Sequence, residues 1–265
     1  MLTHLFPRWE GDYLGIWFLQ LAELLTERGV NVHVVAPHFP RGKTEEDMHG
    51  VSVHRFKYAY PDSLESLAYT GEMHERVLHG NLLQRLSSVS YFTSSICKVI
   101  EVVRRYDIDL IQCFWVLPSG LIGILSKQFV NRPVATYICG TEMAVATKIG
   151  FLRSLVSSIF KHNDVIFTES LKHGPTSAEA AIQLGAPPEK IEILSFGVDL
   201  EVFHPVPIRK GLKKVIMYAG NLILEKGLVY LIEASKKVIE KHPDSEFILI
   251  GKGRDEKYLM KYVER

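Results

Sequence analysis

The sequence predicts an α/β fold in which parallel strands alternate with helices. Short apolar, β-favouring runs, such as 30–36 (VNVHVVA) and 109–115 (DLIQCFW), are separated by segments with helical periodicity. The order strand, glycine loop, helix also occurs twice, near residue 11 and near residue 220. Together these observations indicate a doubly wound parallel sheet followed by the first part of a second, Rossmann-like sheet.

The elements of the first half follow from apolar periodicity and from the residues that end each run. Gly29 stops the first helix, Pro37 closes a strand, and Pro118 opens a helix. The expected strands are 3–6 (only the end of a strand), 30–36, 51–58, 109–115, 133–139, 164–169 and 191–195, with a charged loop at 41–47 (RGKTEED). The expected helices are 16–28, two pieces within 64–106, 118–129, 143–161 and 176–184.

The second half starts afresh after 201–214, a stretch with two prolines, a glycine and clustered basic residues. A strand at 215–219, a helix at 228–241, a strand at 246–250 and a further helix are expected there. We therefore predict a domain at 1–200, a linker at 201–214 and an incomplete domain at 215–265. Ligands of such sheets lie outside the carboxyl ends of the strands, here in a cleft between the two halves.

Composition places the 265-residue chain among globular proteins, with 47% hydrophobic residues, 23% charged residues and a net charge of +1. This balance gives no reason to expect a nucleic-acid partner. Three widely spaced cysteines, Cys97, Cys113 and Cys139, indicate reduced thiols rather than a disulfide framework or a zinc ribbon. Without a signal-peptide pattern or a long apolar run, we expect a cytoplasmic protein, at most bound to the inner face of a membrane.

The stretch 215–227 (VIMYAGNLILEKG) predicts a phosphate site. An apolar strand enters a turn at Gly220, Lys226 follows in a short loop, and a helix begins directly behind it. Backbone N–H groups, a helix N-terminus and an ammonium group would then face one small volume. A cation beside a helix N-terminus is unfavourable unless an anion is present. Taken alone, the pattern also fits an ordinary βα turn with a surface lysine.

Gly11 and Gly15 form a second glycine loop just before a helix. Glycine lets the backbone approach a ligand closely, although a plain turn explains the pair equally well. The spacing differs from G-x-G-x-x-G, which argues against a nicotinamide-dinucleotide site.

Two further groups follow strands at the edge where ligands are expected. Trp115 precedes a Leu-Pro-Ser-Gly turn and either lines the cleft or packs in the core. Cys139, Gly140, Thr141 and Glu142 end another strand. Their hydroxyl and carboxylate groups either bind a polar substrate or cap the following helix.

Several other site classes find no support in the sequence. His74 and His79 are five residues apart and fall on different helix faces, whereas a zincin pair is separated by four. We interpret them as surface histidines and expect no metal. Neither a G-x-S-x-G elbow nor a G-x-x-x-x-G-K-[ST] loop occurs, which argues against an α/β-hydrolase and a P-loop nucleotidase.

Six segments, in order and across essentially the whole chain, resemble glycosyltransferase family 4, whose members have the GT-B fold. FPRWEGDYLGIWFLQLAELLTERGVNVHVVAP resembles the N-terminal glycine loop, helix and strand of that family. DLIQCFWVLPSGLIG resembles its D-x-I-H-x-H-W-x-x-P-x-G stretch, and YICGTE resembles its H-G-[ST]-[DE] turn. EKIEILSFGVDLEVFHP resembles the segment leading to N-G-V-D-x-x-x-F-x-P, YAGNLILEKG resembles G-R-L-x-x-E-K-G, and LIGKGR resembles V-G-x-G.

The resemblance implies an acceptor-side domain at 1–200 and the start of a donor-side domain at 215–265. It implies transfer of a sugar from a nucleotide-sugar donor to a carbohydrate or lipid-linked acceptor, with retention of anomeric configuration and without a metal. Donor binding is implied for Gly11, Gly15, Gly220, Asn221, Lys226, Gly251 and Gly253, with Lys226 as the catalytic cation. Acceptor or sugar binding is implied for Trp115, Cys139, Gly140, Thr141 and Glu142.

Three departures from the family pattern leave alternatives open. Asn221 stands where the family has an arginine, Cys139 stands where it has a histidine, and the E-x7-E carboxylates are expected beyond Arg265. A non-catalytic domain that binds a sugar, a nucleotide or a partner is therefore an alternative, and a nicotinamide-dependent enzyme is a weaker one. The mixed apolar and basic run 151–162 either contacts a membrane surface or packs on the sheet.

Overall fold

The computed structural model describes residues 1–69, 73, 81–140, 143, 146–147, 149–172, 174–205 and 214–264. The chain divides into two compact units, unit 1 (Met1–Gly197) and unit 2 (Val198–Arg265). The strands of unit 1 are β1 (His33–Pro37), β2 (Glu45–Met48), β3 (Val51–Phe56), β4 (Ile111–Phe114), β5 (Val134–Tyr137), β6 (Val165–Thr168) and β7 (Ile191–Ile193). Its helices are α1 (Ile16–Glu27), α2 (Leu82–Tyr106), α3 (Leu121–Val130), α4 (Gly150–His162) and α5 (Ala178–Gln183).

The first three residues hold the sheet of unit 1 together. Leu2 pairs in parallel with Val35 of β1 on one side and with Cys113 of β4 on the other. Since β1 pairs with β3, β3 with β2, and β4 to β7 follow one another, the order is β2-β3-β1-(1–3)-β4-β5-β6-β7. The strand order therefore reverses at the segment 1–3, which is the topological switch point of this doubly wound sheet.

Helices cover both faces of this sheet, as the α/β pattern predicts. Because neighbouring residues of a strand point to opposite faces, Val34 and Phe114 pack in the apolar cluster that contains Phe18 of α1. Val35 and Cys113 pack in the other cluster, which contains Val99 of α2. The parallel, doubly wound fold class predicted from the sequence is confirmed for unit 1.

One strand of the sheet was not predicted. The residues of β2 were assigned to a charged loop, but they pair antiparallel with β3 at the edge of the sheet. Their charges are matched across the ladder, where Glu45 hydrogen-bonds His54 and Glu46 accepts a 2.8 Å hydrogen bond from Arg55 Nε. The sequence of β2 lacks the alternation of apolar and polar residues that predicts a strand, because cross-strand charge pairs rather than a buried apolar face stabilise it.

The helix predicted at 143–161 is interrupted, and the later of the two helical pieces expected within 64–106 has a defined start. The continuous helix at 143–161 is wrong, because Ile149 has an extended backbone (φ −123°, ψ 109°) and α4 begins at Gly150. Within 64–106, α2 begins at Leu82 behind a capping box formed by Asn81 and Gln84. The described helices include none with the length and hydropathy needed to cross a bilayer.

Unit 2 consists of the parallel pair β8 (Lys214–Ala219) and β9 (Ser245–Ile250) with α6 (Leu228–Lys241) and α7 (Glu256–Val263). Its small core contains Leu222, Leu228, Ile232 and Leu259. The first strand therefore begins at Lys214, which the sequence placed in the linker. The rest of the predicted order of strand, glycine turn, helix and strand is observed.

Candidate functional site

The site side chains of unit 1 follow parallel strands within two residues. His4 follows the segment 1–3, Trp115 follows β4, Cys139 follows β5, and Glu169 follows β6. The carboxyl ends of parallel strands share one edge of a sheet, and ligands of such folds bind there. Backbone hydrogen bonds continue the sheet into this edge, since Trp115 N donates to Tyr137 O at 3.0 Å.

The loop before α1 is fixed by an ion pair between the partly buried Arg8 and the buried Asp12. Arg8 donates to the Asp12 carboxylate through Nε (2.7 Å), Nη2 (3.2 Å) and its backbone N–H (3.1 Å). Burial alone would raise the pKa of Asp12, but these bonds and one from the Leu14 N–H lower it below its usual value. The Arg8 guanidinium also lies 4.2 Å from the Trp9 ring centre. The loop therefore has one conformation, stabilised by charge.

The two predicted glycines of this loop have different roles. Gly11 is exposed and completes the turn in which Asp12 N donates to Trp9 O. A Cβ at Gly11 would meet nothing within 4 Å, so the side chain is excluded only by its φ of 83°. Gly15 has φ 75° and starts α1, and a Cβ there would lie 2.8 Å from the Leu5 carbonyl oxygen. Gly15 thus allows α1 to begin directly beside the switch point.

Trp115 is partly buried. This burial is intermediate between the two interpretations of the sequence, a residue that lines the cleft and a residue of the core. Its ring centre is 5.2 Å from that of Phe18 of α1 and 4.1 Å from that of His4. The backbone of Trp115 has φ 69°, a conformation that costs free energy in any residue other than glycine. This strained residue directly follows β4, and its indole contacts His4 and Phe18 there.

Gly140 is buried beside the loop that follows β6. A Cβ at this position would lie 2.9 Å from Thr176 Cγ2, and the φ of Gly140 is 104°. The Thr176 hydroxyl donates to Glu169 Oε2 at 2.7 Å. Cys139 is partly buried, and its thiol lies 3.8 Å from Tyr137 O. Gly140 therefore fits closely against a polar pair that sequence reasoning missed.

Three groups of predicted residues fall outside the described part of the chain. They are Thr141 and Glu142 of the acceptor site, His74 and His79 of the rejected metal pair, and most of the linker, 206–213.

In unit 2, Lys226 lies beside the start of α6. Gly227 caps this helix with φ 72° and ψ 21°, no side chain caps it, and its first turn has no acidic residue. Lys226 is exposed and forms no ion pair with any described residue. Arg254, by contrast, is paired with Glu225 and lies 3.6 Å from Asp255. An uncapped helix N-terminus and an unpaired ammonium group together favour an anion.

The remaining predicted glycines of unit 2 pack two loops together. A Cβ at Gly251 would lie 1.8 Å from Gly220 O, and a Cβ at Gly253 would lie 2.2 Å from Leu222 O. The backbone oxygen of Asn221 accepts a 2.9 Å hydrogen bond from Tyr218. Loop packing is thus enough to require glycine at both positions, and their contact with a donor remains a prediction.

The described residues include one group with metal-binding side chains, His38, Asp62 and Glu65. His38 Nδ1 lies 2.6 Å from Glu65 Oε2, and its Nε2 lies 2.9 Å from Gly42 O. Asp62 is paired with Lys57 at 3.0 Å. Because both imidazole nitrogens already have protein partners, we interpret the group as a buried structural pair.

Sequence reasoning missed Arg8, Asp12, His4 and Glu169 at the edge of unit 1. The opposite charges of Arg8 and Asp12 at a separation of four around a Gly turn were the available signal. Glu169 was predicted as the last residue of the strand 164–169, but β6 ends at Thr168 and Glu169 directly follows it. No sequence signal distinguished His4, because its importance depends on which strands lie beside it.

Residues 15–197 match the glycosyl transferase 4-like domain family. The chain is 26% identical to the UDP-Gal:alpha-D-GlcNAc-diphosphoundecaprenol alpha-1,3-galactosyltransferase of Escherichia coli over 190 residues, 62% of this chain and 49% of that protein. It is 19% identical to the N-acetyl-alpha-D-glucosaminyl L-malate synthase of Bacillus anthracis over 249 residues, 90% of this chain and 58% of that protein. The match therefore spans about half the length of these relatives.

Solved structures show the same fold. The crystal structure of HepE from Anabaena in complex with UDP-glucose has a TM-score of 0.63 at 16% identity, covering 100% of this chain and 65% of that one. The apo form of the lipopolysaccharide outer core galactosyltransferase WaaB has a TM-score of 0.58 at 11% identity, covering 99% and 63%. These likenesses show a GT-B-like, Rossmann-type architecture.

Proposed function

We propose that this chain, which belongs to the glycosyl transferase 4-like domain family, acts in the transfer of a sugar. The sugar would pass from a nucleotide-sugar donor to a carbohydrate or lipid-linked acceptor. The donor is proposed to be a UDP-sugar. The HepE structure contains UDP-glucose and the galactosyltransferase of Escherichia coli is named for UDP-Gal, which supports this choice.

The observation that carries the proposal is the unpaired Lys226 beside the uncapped N-terminus of α6. In sugar transfer the leaving group is a nucleoside diphosphate, whose negative charge grows as the glycosidic bond breaks. Preorganised positive charge that faces this group stabilises the transition state more than the ground state. Lys226 and the first N–H groups of α6 supply such charge, so we assign the diphosphate to them, with Gly220 and Asn221 beside it.

We propose that the reaction retains the anomeric configuration and needs no resident metal. The family resemblance supports retention. The cationic group and the helix N-terminus already supply positive charge to the diphosphate, which is the task that a metal ion would otherwise perform. The anomeric proton coupling of the product, measured by NMR, tests retention, and the reaction rate with and without excess EDTA tests the metal.

Replacing Lys226 tests the donor site. Lys226→Ala is expected to lower kcat/KM for transfer or hydrolysis of UDP-glucose or UDP-galactose by roughly 100-fold to 1,000-fold. Lys237→Ala is the matched control, because Lys237 is an exposed lysine of α6 that lies about 14 Å along the helix axis from its first residue. Equal activity of the two variants would contradict the assignment of the diphosphate to Lys226.

A non-catalytic binding protein is the second candidate. It is favoured by Asn221, which removes a cation from the loop, and by Cys139, whose thiol lies 3.8 Å from a backbone oxygen rather than presenting an imidazole. This candidate predicts saturable binding of UDP with neither transfer nor hydrolysis of the UDP-sugar. Turnover that is lost in Lys226→Ala would exclude it.

We also propose that the protein acts in the cytoplasm, with unit 1 able to contact a membrane surface. Val156, Ile159 and Phe160 of α4 pack on the sheet, as one sequence interpretation expected. Phe151, on the opposite side of α4, is 75% exposed, and Arg153 and Lys161 of this helix are exposed as well. Phe151→Glu should reduce sedimentation with anionic phospholipid vesicles, and unchanged sedimentation would argue against this contact.

A further inference from the structure

His4 occupies the position in unit 1 where the sheet topology places a ligand. It directly follows the segment 1–3, whose Leu2 pairs with β1 on one side and β4 on the other. Crevices for ligands in doubly wound sheets form at this switch point, outside the carboxyl ends of the two diverging strands. His4 is thus the first side chain beyond the switch point.

The ring of His4 is held against Trp115. Their ring centres are 4.1 Å apart and the rings are inclined at 57°. Trp115 is supported in turn by Phe18, whose ring centre is 4.6 Å from that of Phe114. The imidazole and the indole therefore form one rigid aromatic surface.

The Nδ1 atom of His4 is buried and has no hydrogen-bond partner among the described residues. Buried polar atoms in folded proteins almost always have a partner, so each exception calls for an explanation. Thr3 and Leu5, the neighbours of His4, satisfy each other through the Thr3 hydroxyl, which donates to Leu5 O at 2.9 Å. Among the buried side-chain nitrogen and oxygen atoms of residues 1–15, the one without a hydrogen-bond partner is His4 Nδ1.

Trp115 adds a second, independent observation. Its φ of 69° is a strained conformation for a non-glycine residue. Such strain persists where the surrounding structure enforces it and clusters at ligand sites. Here it keeps the indole against His4 at the switch point.

The electrostatics of the pair favour a neutral ligand. Burial lowers the pKa of His4 to about 4, so the imidazole is uncharged at neutral pH. A neutral imidazole nitrogen can accept one hydrogen bond from a hydroxyl group. An indole offers an apolar face of the kind that packs on the C–H groups of a sugar ring, whereas a phosphate would require a cation.

We propose that His4 and Trp115 form a subsite for one sugar ring of the acceptor. His4 Nδ1 accepts a hydrogen bond from a ring hydroxyl, and the Trp115 indole packs on the apolar face of the same ring. This subsite rests on the proposed function, and it names a neutral pyranose as the group that unit 1 recognises.

A binding experiment tests the subsite without requiring turnover. In a Trp9→Phe, Trp17→Phe background, Trp115 is the sole tryptophan, and its fluorescence is titrated with methyl glycosides of glucose, galactose, mannose and N-acetylglucosamine. We expect saturable quenching by at least one glycoside. His4→Phe keeps an aromatic ring but removes the hydrogen bond, and should weaken that binding roughly tenfold.

Two polar variants keep the test specific and guard against misfolding. His4→Asn places an amide near the position of Nδ1 and should restore binding to within about threefold of the parent, whereas His4→Gln places its amide nearer Nε2 and should not. Equal affinities of the parent, the Phe variant and the Gln variant would overturn the proposal. Absence of quenching by all four glycosides in the parent would overturn it as well.

Hydrolysis of UDP-glucose and UDP-galactose, measured on the same proteins, separates this proposal from the proposed function. Loss of donor hydrolysis in every protein, with sugar binding intact, would contradict the transferase and leave the sugar subsite supported.

Discussion

The two glycine loops of the chain begin their helices with the same backbone geometry and different surroundings. Gly15 starts α1 with φ 75° and ψ 18°, and Gly227 starts α6 with φ 72° and ψ 21°. Neither helix has a side-chain cap or an acidic residue in its first turn. Each therefore presents an uncompensated positive helix end.

The surroundings of these two helix ends differ in burial and in charge. Gly15 is buried against the Leu5 backbone, behind the Arg8–Asp12 pair, whereas a Cβ at Gly227 would meet only Tyr230 Cδ2 at 3.6 Å. The loop of unit 2 is exposed and carries the unpaired Lys226. The comparison teaches that one backbone motif serves two purposes. In unit 1 it fixes a shape, and in unit 2 it presents a charge.

The largest effect is expected from adding a methyl group at the two helix starts. Gly15→Ala should lower the free energy of unfolding of unit 1 by about 3 kcal/mol, because the left-handed conformation costs about 1–2 kcal/mol and the Leu5 backbone must also move. Gly227→Ala should lower the free energy of unfolding of unit 2 only by the cost of the left-handed conformation, about 1–2 kcal/mol. Fluorescence follows unit 1, since Trp9, Trp17 and Trp115 all lie there, and amide hydrogen exchange of 214–264 follows unit 2. Equal losses of unfolding free energy in the two variants would contradict the difference between the two helix starts.

The charge pair of the first loop should have the next largest effect. Asp12→Asn is expected to lower the free energy of unfolding of unit 1 by about 1–3 kcal/mol, because it removes the buried carboxylate charge that accepts the hydrogen bonds of Arg8. Glu10→Gln, an exposed change in the same loop, is the control. Because the folded pKa of Asp12 is lowered, its stabilisation is present above the usual carboxyl pKa and disappears as pH falls through the folded value. The two variants should therefore converge in acid.

Acid should distinguish the two units. Burial lowers the pKa values of His4, His33 and His54 in unit 1, although Glu45 opposes the shift at His54. These groups bind protons more readily when unfolded, so unit 1 keeps their full contribution above about pH 6.5 and loses stability as pH falls from there towards 4. His204 and His242 of unit 2 are exposed. Urea unfolding should show a lower free energy of unfolding for unit 1 at pH 5 than at pH 7.5, with little change for unit 2. Equal losses in both units would contradict this.

The smallest effect concerns the charge of the second loop. Glu225→Gln removes one negative charge from the loop of Lys226 and leaves Arg254 with Asp255, at 3.6 Å, as its remaining ion-pair partner. The affinity for UDP should rise roughly twofold to fivefold at low salt, and the gain should shrink as salt screens the charge. Glu240→Gln on the exposed side of α6 is the matched control for calorimetry. A gain of the same size in the control would show that net charge, rather than the loop, sets the affinity.

Local patterns were enough to predict most of the elements. Apolar runs such as that of β1 and glycine turns such as that at Gly220 predicted the alternating α/β order, because burial and backbone conformation are properties of short segments. The edge strand β2 was missed because its residues are mostly charged and are matched by His54 and Arg55 across the ladder. These partners are only nine residues away, but they are charged or polar, and the apolar alternation that predicts a strand does not detect charge pairs.

The same distinction separates the predicted site residues from the missed ones. The sequence by itself determined the fold class, the two glycine loops and the position of Lys226 before a helix, since each depends on residues within one segment. Only the tertiary structure decided that Gly251 packs on Gly220 and that His4 lies against Trp115 at the switch point. The first contact depends on the pairing of β8 with β9, and the second depends on the strand order of the unit 1 sheet, which brings together residues 111 positions apart in the sequence.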